Sequence, residues 1–151
     1  MITIRVYGTP APQGSKARGR HGGVYEMSKH LPAWRRAVIE ACADPVRDDR
    51  EASEPLTGPV ALTVVFLMAR PAMHFRRGVH VSELRPDAPA RPATRPDISK
   101  LIRGTEDALT EAGIWGDDGQ VADLCAAKVY CRPGDPPGAR ITIEPCKTED
   151  Y

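Results

Sequence analysis

Three aspartates in the stretch from Arg95 to Val121 have the residue type and spacing of a divalent-cation site. Asp97 follows Pro96 at the start of a candidate helix, and the pair Asp117-Asp118 stands just ahead of a candidate strand. A helix start and a strand start, each carrying carboxylate, can bring acidic groups from distant sequence positions onto one ion. Oxygen ligands suit Mg²⁺, which takes one or two carboxylates and keeps waters for a substrate phosphate.

The helix between these acids is predicted from an apolar repeat with the helical period. Its polar face carries Arg103 and Asp107, which are spaced to pair across one turn. Asp97 can cap the first turn, and Gly113 can end the helix. A capping role for Asp97, and an ordinary polar turn at Asp117-Asp118, therefore stay open beside metal binding. The apolar arc consists of Ile98, Leu101, Ile102, Thr105, Ala108, Leu109 and Ala112.

The order of these residues resembles the RusA family of Holliday-junction resolvases, small endodeoxyribonucleases common in phages and prophages. The family pattern reads Pro-Asp-x-Asp-Asn-x-x-Lys, then Asp-Ala-Leu, then Asp-Asp-x-Gln-Val. The chain matches it at Pro96-Asp97, at Asp107-Ala108-Leu109 and at Asp117-Asp118-Gly119-Gln120-Val121. The close match covers residues 95–121, and looser agreement in length and element order extends over the whole chain.

Three positions depart from the family pattern. Ser99 stands where the family has its second aspartate, Lys100 where it has asparagine, and Arg103 where it has lysine. A hydroxyl in place of a carboxylate removes one negative charge and a strong ligand, so we expect weaker metal binding at Ser99. Arg103 keeps the positive charge in a different shape.

The resemblance implies a Mg²⁺-dependent, structure-selective endonuclease that resolves four-way DNA junctions by paired, symmetric nicks. It also implies a homodimer, and Mn²⁺ as an ion that can substitute for Mg²⁺. The implied catalytic residues are Asp97, Asp118 and Arg103. The implied metal ligands are Asp97, Asp118 and Asp117, and the implied supporting residues are Ser99, Lys100 and Asp107.

Two other functions stay open. Because Ser99 replaces a family aspartate, the chain can be a protein that binds junctions or other branched DNA with weakened or lost nuclease activity. The fold can also serve a nuclease acting on other branched or single-stranded DNA, since fold alone does not fix function.

Positive charge is unevenly distributed, although the net charge is only +1. Residues 1–40 and 70–100 are rich in Lys and Arg, and such local basic regions can bind phosphate. Lys16, Arg18 and Arg20 lie in a Gly- and Pro-rich loop, and their long cationic side chains can reach a DNA backbone. The family resemblance implies a basic loop at this place, so we expect these three residues to contact DNA.

Lys128 matches a further basic position of the family and is a fourth candidate for DNA binding. A regular strand of ten residues spans about 33 Å, so we expect Lys128 to lie far from Asp118 of its own subunit. It can contact DNA or a partner subunit's site, and a solvated strand lysine stays open as well.

Length and a hydrophobic content of 41% fit one domain covering residues 1–151. Hydrophobic patterning predicts the order β-α-β-α-β-β, a small α+β fold with a mixed sheet and two main helices. The strand that contains Val60 is nearly all apolar and should lie inside the sheet. We expect flexible loops at about residues 9–24 and 70–96. The predicted strands cover residues 2–7, 59–69, 121–131 and 140–145, and the predicted helices cover residues 30–43 and 98–112.

Membrane insertion and disulfide bonding are not expected. No apolar run reaches the ~20 residues of a membrane span, and the N-terminus lacks the layout of a signal peptide. We therefore expect a cytoplasmic protein of a bacterium or a phage-infected cell, with no membrane partner. The four cysteines lack C-x-x-C spacing and are expected to be reduced and mostly buried.

Overall fold

In the computed structural model, two helices cover one face of a five-stranded sheet, and a two-stranded hairpin lies apart from it. The structure describes residues 1–14, 16–18, 24–26, 29–47 and 54–146. The strands are β1 (Ile2–Tyr7), β2 (Lys16–Arg18), β3 (Val24–Glu26), β4 (Val46–Arg47), β5 (Val60–Met68), β6 (Val121–Tyr130) and β7 (Gly138–Pro145). The helices are α1 (Leu31–Ala41) and α2 (Ile98–Glu111).

The large sheet is mixed, as the sequence predicts. Its strand order is β4-β1-β7-β5-β6, with β7 in the middle and β5 inside. Only β5 and β6 are parallel; the other neighbours are antiparallel. Helix α2 connects the two parallel strands, since a parallel pair needs a crossover and cannot be closed by a tight turn. The α+β fold class with two main helices is confirmed.

The core lies between the sheet and the two helices. Alternate residues of β1, β5 and β7 are buried on the helix side, including Ile4, Val64 and Ile141, which are paired across the strands. Trp34 of α1 packs beneath them, and its Nε1 donates to Oγ1 of the buried Thr105 on α2 at 3.1 Å. This bond joins the helices and avoids the roughly 1–3 kcal/mol cost of leaving a buried donor unpaired.

Helix α2 follows its predicted pattern closely. Its buried side chains include Leu101, Ile102, Thr105, Ala108 and Leu109. The helix ends at Gly113, whose φ of +73° is the left-handed conformation that glycine adopts readily. Gly113 N donates to Thr110 O at 3.0 Å, and Ile114 N donates to Leu109 O at 3.1 Å, which closes the last turn in a Schellman motif.

The two predicted loops contain more regular structure than their composition indicates. Residues 9–24 include β2, which pairs with β3 as a short antiparallel hairpin. Residues 70–96 include two 3₁₀ turns, Ala72–His74 and Gly78–His80, and a bridge between Phe75 and Leu84. Backbone hydrogen bonding satisfies the polar groups of a loop that has few core side chains. The flexibility of both loops stays a prediction.

The prediction that most cysteines are buried is wrong. Cys131 is buried, Cys42 and Cys146 are half-buried, and Cys125 is exposed. Cys125 lies on β6, the edge strand of the sheet, where fewer neighbours cover the side chains. The four thiols form no disulfide, as expected. Among the described residues, no helix is long and apolar enough to cross a membrane.

Candidate functional site

The predicted metal-binding aspartates lie at opposite ends of α2 and not together. Asp97 immediately precedes this helix of 14 residues, which at 1.5 Å per residue is about 21 Å long. Asp117 and Asp118 follow the helix and open β6. Because α2 returns the chain so that β6 can run parallel to β5, the start of the helix lies near the carboxyl ends of these strands and its end lies near their amino ends. One described chain therefore does not bring Asp97 and Asp118 onto one ion.

Asp97 occupies the N-cap position of α2, but its carboxylate does not cap the helix. The side chain accepts no hydrogen bond from the first turn, which corrects the capping role considered from sequence. Its backbone oxygen accepts from the N–H groups of Lys100 and Leu101, each at 3.1 Å. The carboxylate is exposed and lies 3.7 Å from Lys100 Nζ. Asp97 thus presents a negative group that the fold itself does not use as a cap.

The first turn of α2 offers further groups for a phosphate or an ion. Ser99 is exposed one residue into the helix. The N–H groups at a helix start carry partial positive charge, and the side chain at the N-cap position, Asp97, does not cap them. This end of α2 can therefore hold an anionic oxygen beside the Asp97 carboxylate.

Lys128 fixes the segment that leads to Asp97. Its Nζ donates to Thr94 O and to Pro96 O, each at 2.8 Å. Lys128 pairs with the buried Phe66 of β5, which places it on the helix side of the sheet. The interpretation of Lys128 as a solvated strand lysine is therefore wrong, because two carbonyl oxygens accept hydrogen bonds from its ammonium group. Its DNA contact stays a prediction.

The basic hairpin begins beside the same end of α2. Gln13 N donates to Lys100 O at 2.9 Å, and Gly14 lies against the Lys100 side chain. Strand β2 starts two residues later with Lys16 and ends with Arg18. The side chains of these two residues, and the whole of Arg20, lie outside the described part of the chain, so their predicted DNA contacts stay predictions.

At the other end of α2, Asp117 builds a turn. Its Oδ1 accepts from Gly119 N at 2.7 Å, and Asp117 precedes the 3₁₀ turn Asp118–Gln120. The polar-turn interpretation considered from sequence therefore applies to Asp117. The neighbouring Asp118 begins the 3₁₀ turn and its side chain is exposed.

Gln120 connects this turn to the rest of the fold through hydrogen bonds that both polar atoms of its side-chain amide make. Its Oε1 accepts from Gly116 N at 2.8 Å and from Asp117 N at 3.1 Å. Its Nε2 donates to Leu56 O at 3.0 Å and to Gly58 O at 2.9 Å. The glutamine of the Asp-Asp-x-Gln-Val motif is therefore structural, and it sets the position from which Asp118 projects.

Glu106 is a residue of this region to which the sequence analysis assigns no role. It is half-buried on α2, and burial raises the pKa of its carboxyl, with Asp118 and Asp107 raising it further and Arg103 opposing them. The sequence shows Glu106 only as a carboxylate on the predicted helix. Its closeness to Asp118 depends on how the chain turns after Gly113, so the sequence pattern does not predict it. Burial is the main cause of the shift, and the Asp118 and Asp107 carboxylates add to it.

Asp107 does not make the predicted pair with Arg103. Its Oδ2 accepts from Gln13 Nε2 and lies 3.8 Å from an Arg35 guanidinium nitrogen. Gln13 and Arg35 contact Asp107 in place of Arg103, because α1 and residues 11–14 pack on the same side of α2. Arg103 is exposed and acts electrostatically on Glu106 instead.

The oxygen atoms at the two ends of α2 are of the type that Mg²⁺ binds. Neither end alone has enough such side chains to hold the ion. Asp97 and Ser99 stand at one end, and Asp118 with Asp117 at the other. Within the described ranges, no three His, Cys, Asp or Glu side chains are grouped to hold a metal ion. The metal-binding and catalytic roles of these residues stay predictions.

Comparison with known proteins gives matches over most of the chain. A family model described as "Endodeoxyribonuclease RusA" matches residues 7–144, which include α2 and all three aspartates. A protein of Bacillus subtilis (strain 168), described as the uncharacterized protein YqaN, is 30% identical over 131 residues. That alignment covers 85% of this chain and 87% of the Bacillus protein.

The raised pKa of Glu106 predicts a pH-dependent gain in stability for Glu106→Gln. The folded state holds the Glu106 proton more tightly than the unfolded chain, so ionisation opposes folding as pH rises above the ordinary value of 4.5. Urea unfolding should show Glu106→Gln to be more stable than the wild type at about pH 7 and equal to it at about pH 4. The exposed change Glu40→Gln is the control. A gain that does not grow with pH would contradict this electrostatic account.

Proposed function

Because this chain belongs to the RusA family of endodeoxyribonucleases, we propose that it is a Mg²⁺-dependent endonuclease that resolves four-way DNA junctions by paired, symmetric nicks. Mn²⁺ is proposed to substitute for Mg²⁺. We also propose that residues 1–151 form one domain and that the protein acts as a homodimer. The observation that carries it is the Asp97 carboxylate, which is exposed at an uncapped helix start and is positioned through Lys128.

The separation of Asp97 from Asp118 supports a site shared by two subunits. A two-fold dimer with antiparallel α2 helices would place Asp97 of each subunit beside Asp118 of its partner, at two equivalent sites. Charge supports this arrangement as well. Lys100 and Lys128 lie at the Asp97 end, whereas Glu106 lies near Asp118. Ends of opposite charge attract each other when two copies meet in this orientation.

The residues at the two ends of α2 would have separate roles in metal, phosphate and DNA binding. Asp97 of one subunit and Asp118 of the other would hold the ion, and Asp117 would keep Asp118 in place. A divalent cation at that point supplies charge that stabilises the leaving oxygen and makes water nucleophilic near neutral pH. The first-turn N–H groups of α2 orient a phosphate oxygen. Arg103 offers positive charge to the phosphate, and the basic hairpin binds the DNA backbone.

Cleavage of a labelled synthetic four-way junction tests the proposal. With Mg²⁺ or Mn²⁺, the wild type should nick opposite strands at symmetric positions and leave a linear duplex of the same sequence intact. Asp118→Asn should lower the nicking rate by roughly a hundredfold or more, since it removes an ionic ligand, and should leave junction affinity unchanged. Wild-type nicking by Asp118→Asn would remove Asp118 from the mechanism. Equal cleavage of junction, flap and duplex would indicate a less selective nuclease.

A second function, junction binding with weakened or lost cleavage, is favoured by the residues around Asp97. Ser99 provides a hydroxyl where the family has a carboxylate. Lys100, where the family has asparagine, places its ammonium 3.7 Å from the Asp97 carboxylate. Both features reduce the negative charge available to a cation. Tight junction binding without nicks would support this second function.

Ser99→Asp separates the two functions at a single side chain. If the hydroxyl limits metal binding, the added carboxylate should raise the nicking rate and lower the half-saturating Mg²⁺ concentration by roughly tenfold. Ser99→Asn, which has nearly the same shape without the charge, is the matched control. An equal effect of both variants, or none from either, would show that Ser99 does not limit the site.

A further inference from the structure

Residues 71–84 leave an unusual amount of apolar surface in solvent. Val79 is 93% exposed, Met73 74%, Val81 64% and Leu84 37%. These four make up most of the large hydrophobic side chains that the described residues expose. Single exposed apolar side chains need no explanation, but four of them within the twelve residues 73–84 indicate a surface that binds a partner.

This surface is held in shape by hydrogen bonds. Residues 74–85, here called the finger, fold back on themselves: Arg76 N donates to Glu83 O at 2.8 Å, and Arg85 N donates to His74 O at 2.9 Å. An ion pair of 2.8 Å between Arg76 and Glu83 side chains adds to the backbone bonds. The apex, with Val79 and Val81, therefore projects from a bonded stem.

The finger stands at the Asp97 end of α2. The His74 ring at its base meets the edge of Tyr130 with centroids 5.3 Å apart, and the Arg70 guanidinium lies 4.4 Å from the centroid of the same ring. Tyr130 ends β6 two residues after Lys128, whose ammonium binds the Thr94 and Pro96 carbonyls. The finger and the Asp97 carboxylate therefore share one edge of the molecule.

Charge identifies the class of partner. Residues 70–96 contain six arginines and two carboxylates, a net +4, although the whole chain is only +1. Glu83 pairs with Arg76 and Asp87 pairs with Arg85. The remaining positive charge is that of a surface for a polyanion, and the fingers of two copies would repel each other, which argues against a finger-to-finger contact in a dimer.

We propose that the apex of the finger inserts between bases at the branch point of the DNA, with Arg77 on a neighbouring phosphate. Apolar side chains are used as wedges that unstack bases, and surrounding cations neutralise the backbone. Base pairs at a branch point have lost continuous stacking, so a wedge meets less resistance there than in a duplex. This inference rests on the proposed function and gives the protein a means of recognising branched DNA.

The test uses the full chain and four-way junctions that carry 2-aminopurine either at the branch point or within an arm. In EDTA, wild-type protein should raise the fluorescence at the branch point and not in the arm. Val79→Ser/Val81→Ser should lose most of that increase and bind the junction roughly tenfold more weakly, with unchanged affinity for linear duplex. Val79→Ile/Val81→Ile, which keeps the apex apolar, is the matched control and should behave as the wild type.

An unchanged branch-point signal in Val79→Ser/Val81→Ser would overturn the wedge. A changed oligomeric state in that variant with the signal intact would also overturn it, by showing that the apex contacts another subunit. Wild-type protein that neither binds nor nicks the junction would overturn the proposed function and the wedge together. Junction nicking by the wild type without branch-point fluorescence would overturn the wedge alone.

Discussion

The parallel pairing of β5 with β6 is the constraint on which the arrangement of candidate residues depends. Parallel neighbours need a crossover, and here the crossover is α2. The helix therefore separates the residues before it from the residues after it by its own length. Asp97, the start of the basic hairpin and the finger lie toward the carboxyl ends of β5 and β6, and Asp118 with Glu106 lies toward their amino ends.

Two polar side chains secure the ends of that crossover by binding main-chain groups. Lys128 holds the approach to Asp97 through two carbonyl oxygens, and Gln120 holds the Asp-Asp turn through two N–H groups and two carbonyls. Both anchors span segments far apart in sequence. Within the Asp-Asp-x-Gln-Val motif, Asp117 and Gln120 shape the turn, whereas the Asp118 side chain is exposed.

Local patterns were sufficient to predict the main elements of the fold. The alternation in β1, the apolar run of β5 and the helical period of α2 each depend on burial of one face, and burial follows periodicity. The Gly113 stop depends only on backbone conformation, so it was predictable too. The β2–β3 hairpin was not predictable in this way, because strands of three residues each are too short to show an alternating pattern.

The geometry of the candidate site was less predictable because it depends on strand order. Whether Asp97 and Asp118 meet is decided by the direction in which β6 joins the sheet, and no local pattern encodes that direction. The tether from Lys128 to Pro96 and the partners of Asp107 arise from the same tertiary packing. Membership of the RusA family and the α+β fold followed from motif and periodicity; the separation of the acidic residues at the two ends of β5 and β6 did not.

The central claim is that each cation site takes Asp97 from one subunit and Asp118 from the other. The most direct measurement mixes Asp97→Asn and Asp118→Asn subunits, each inactive alone, by co-refolding or co-expression, and assays nicking of a four-way junction. The account predicts that the mixture nicks one strand per junction, because a mixed dimer contains one site with both aspartates and one with neither. A mixture as inactive as the separate variants would contradict it and place both aspartates in a site within one subunit.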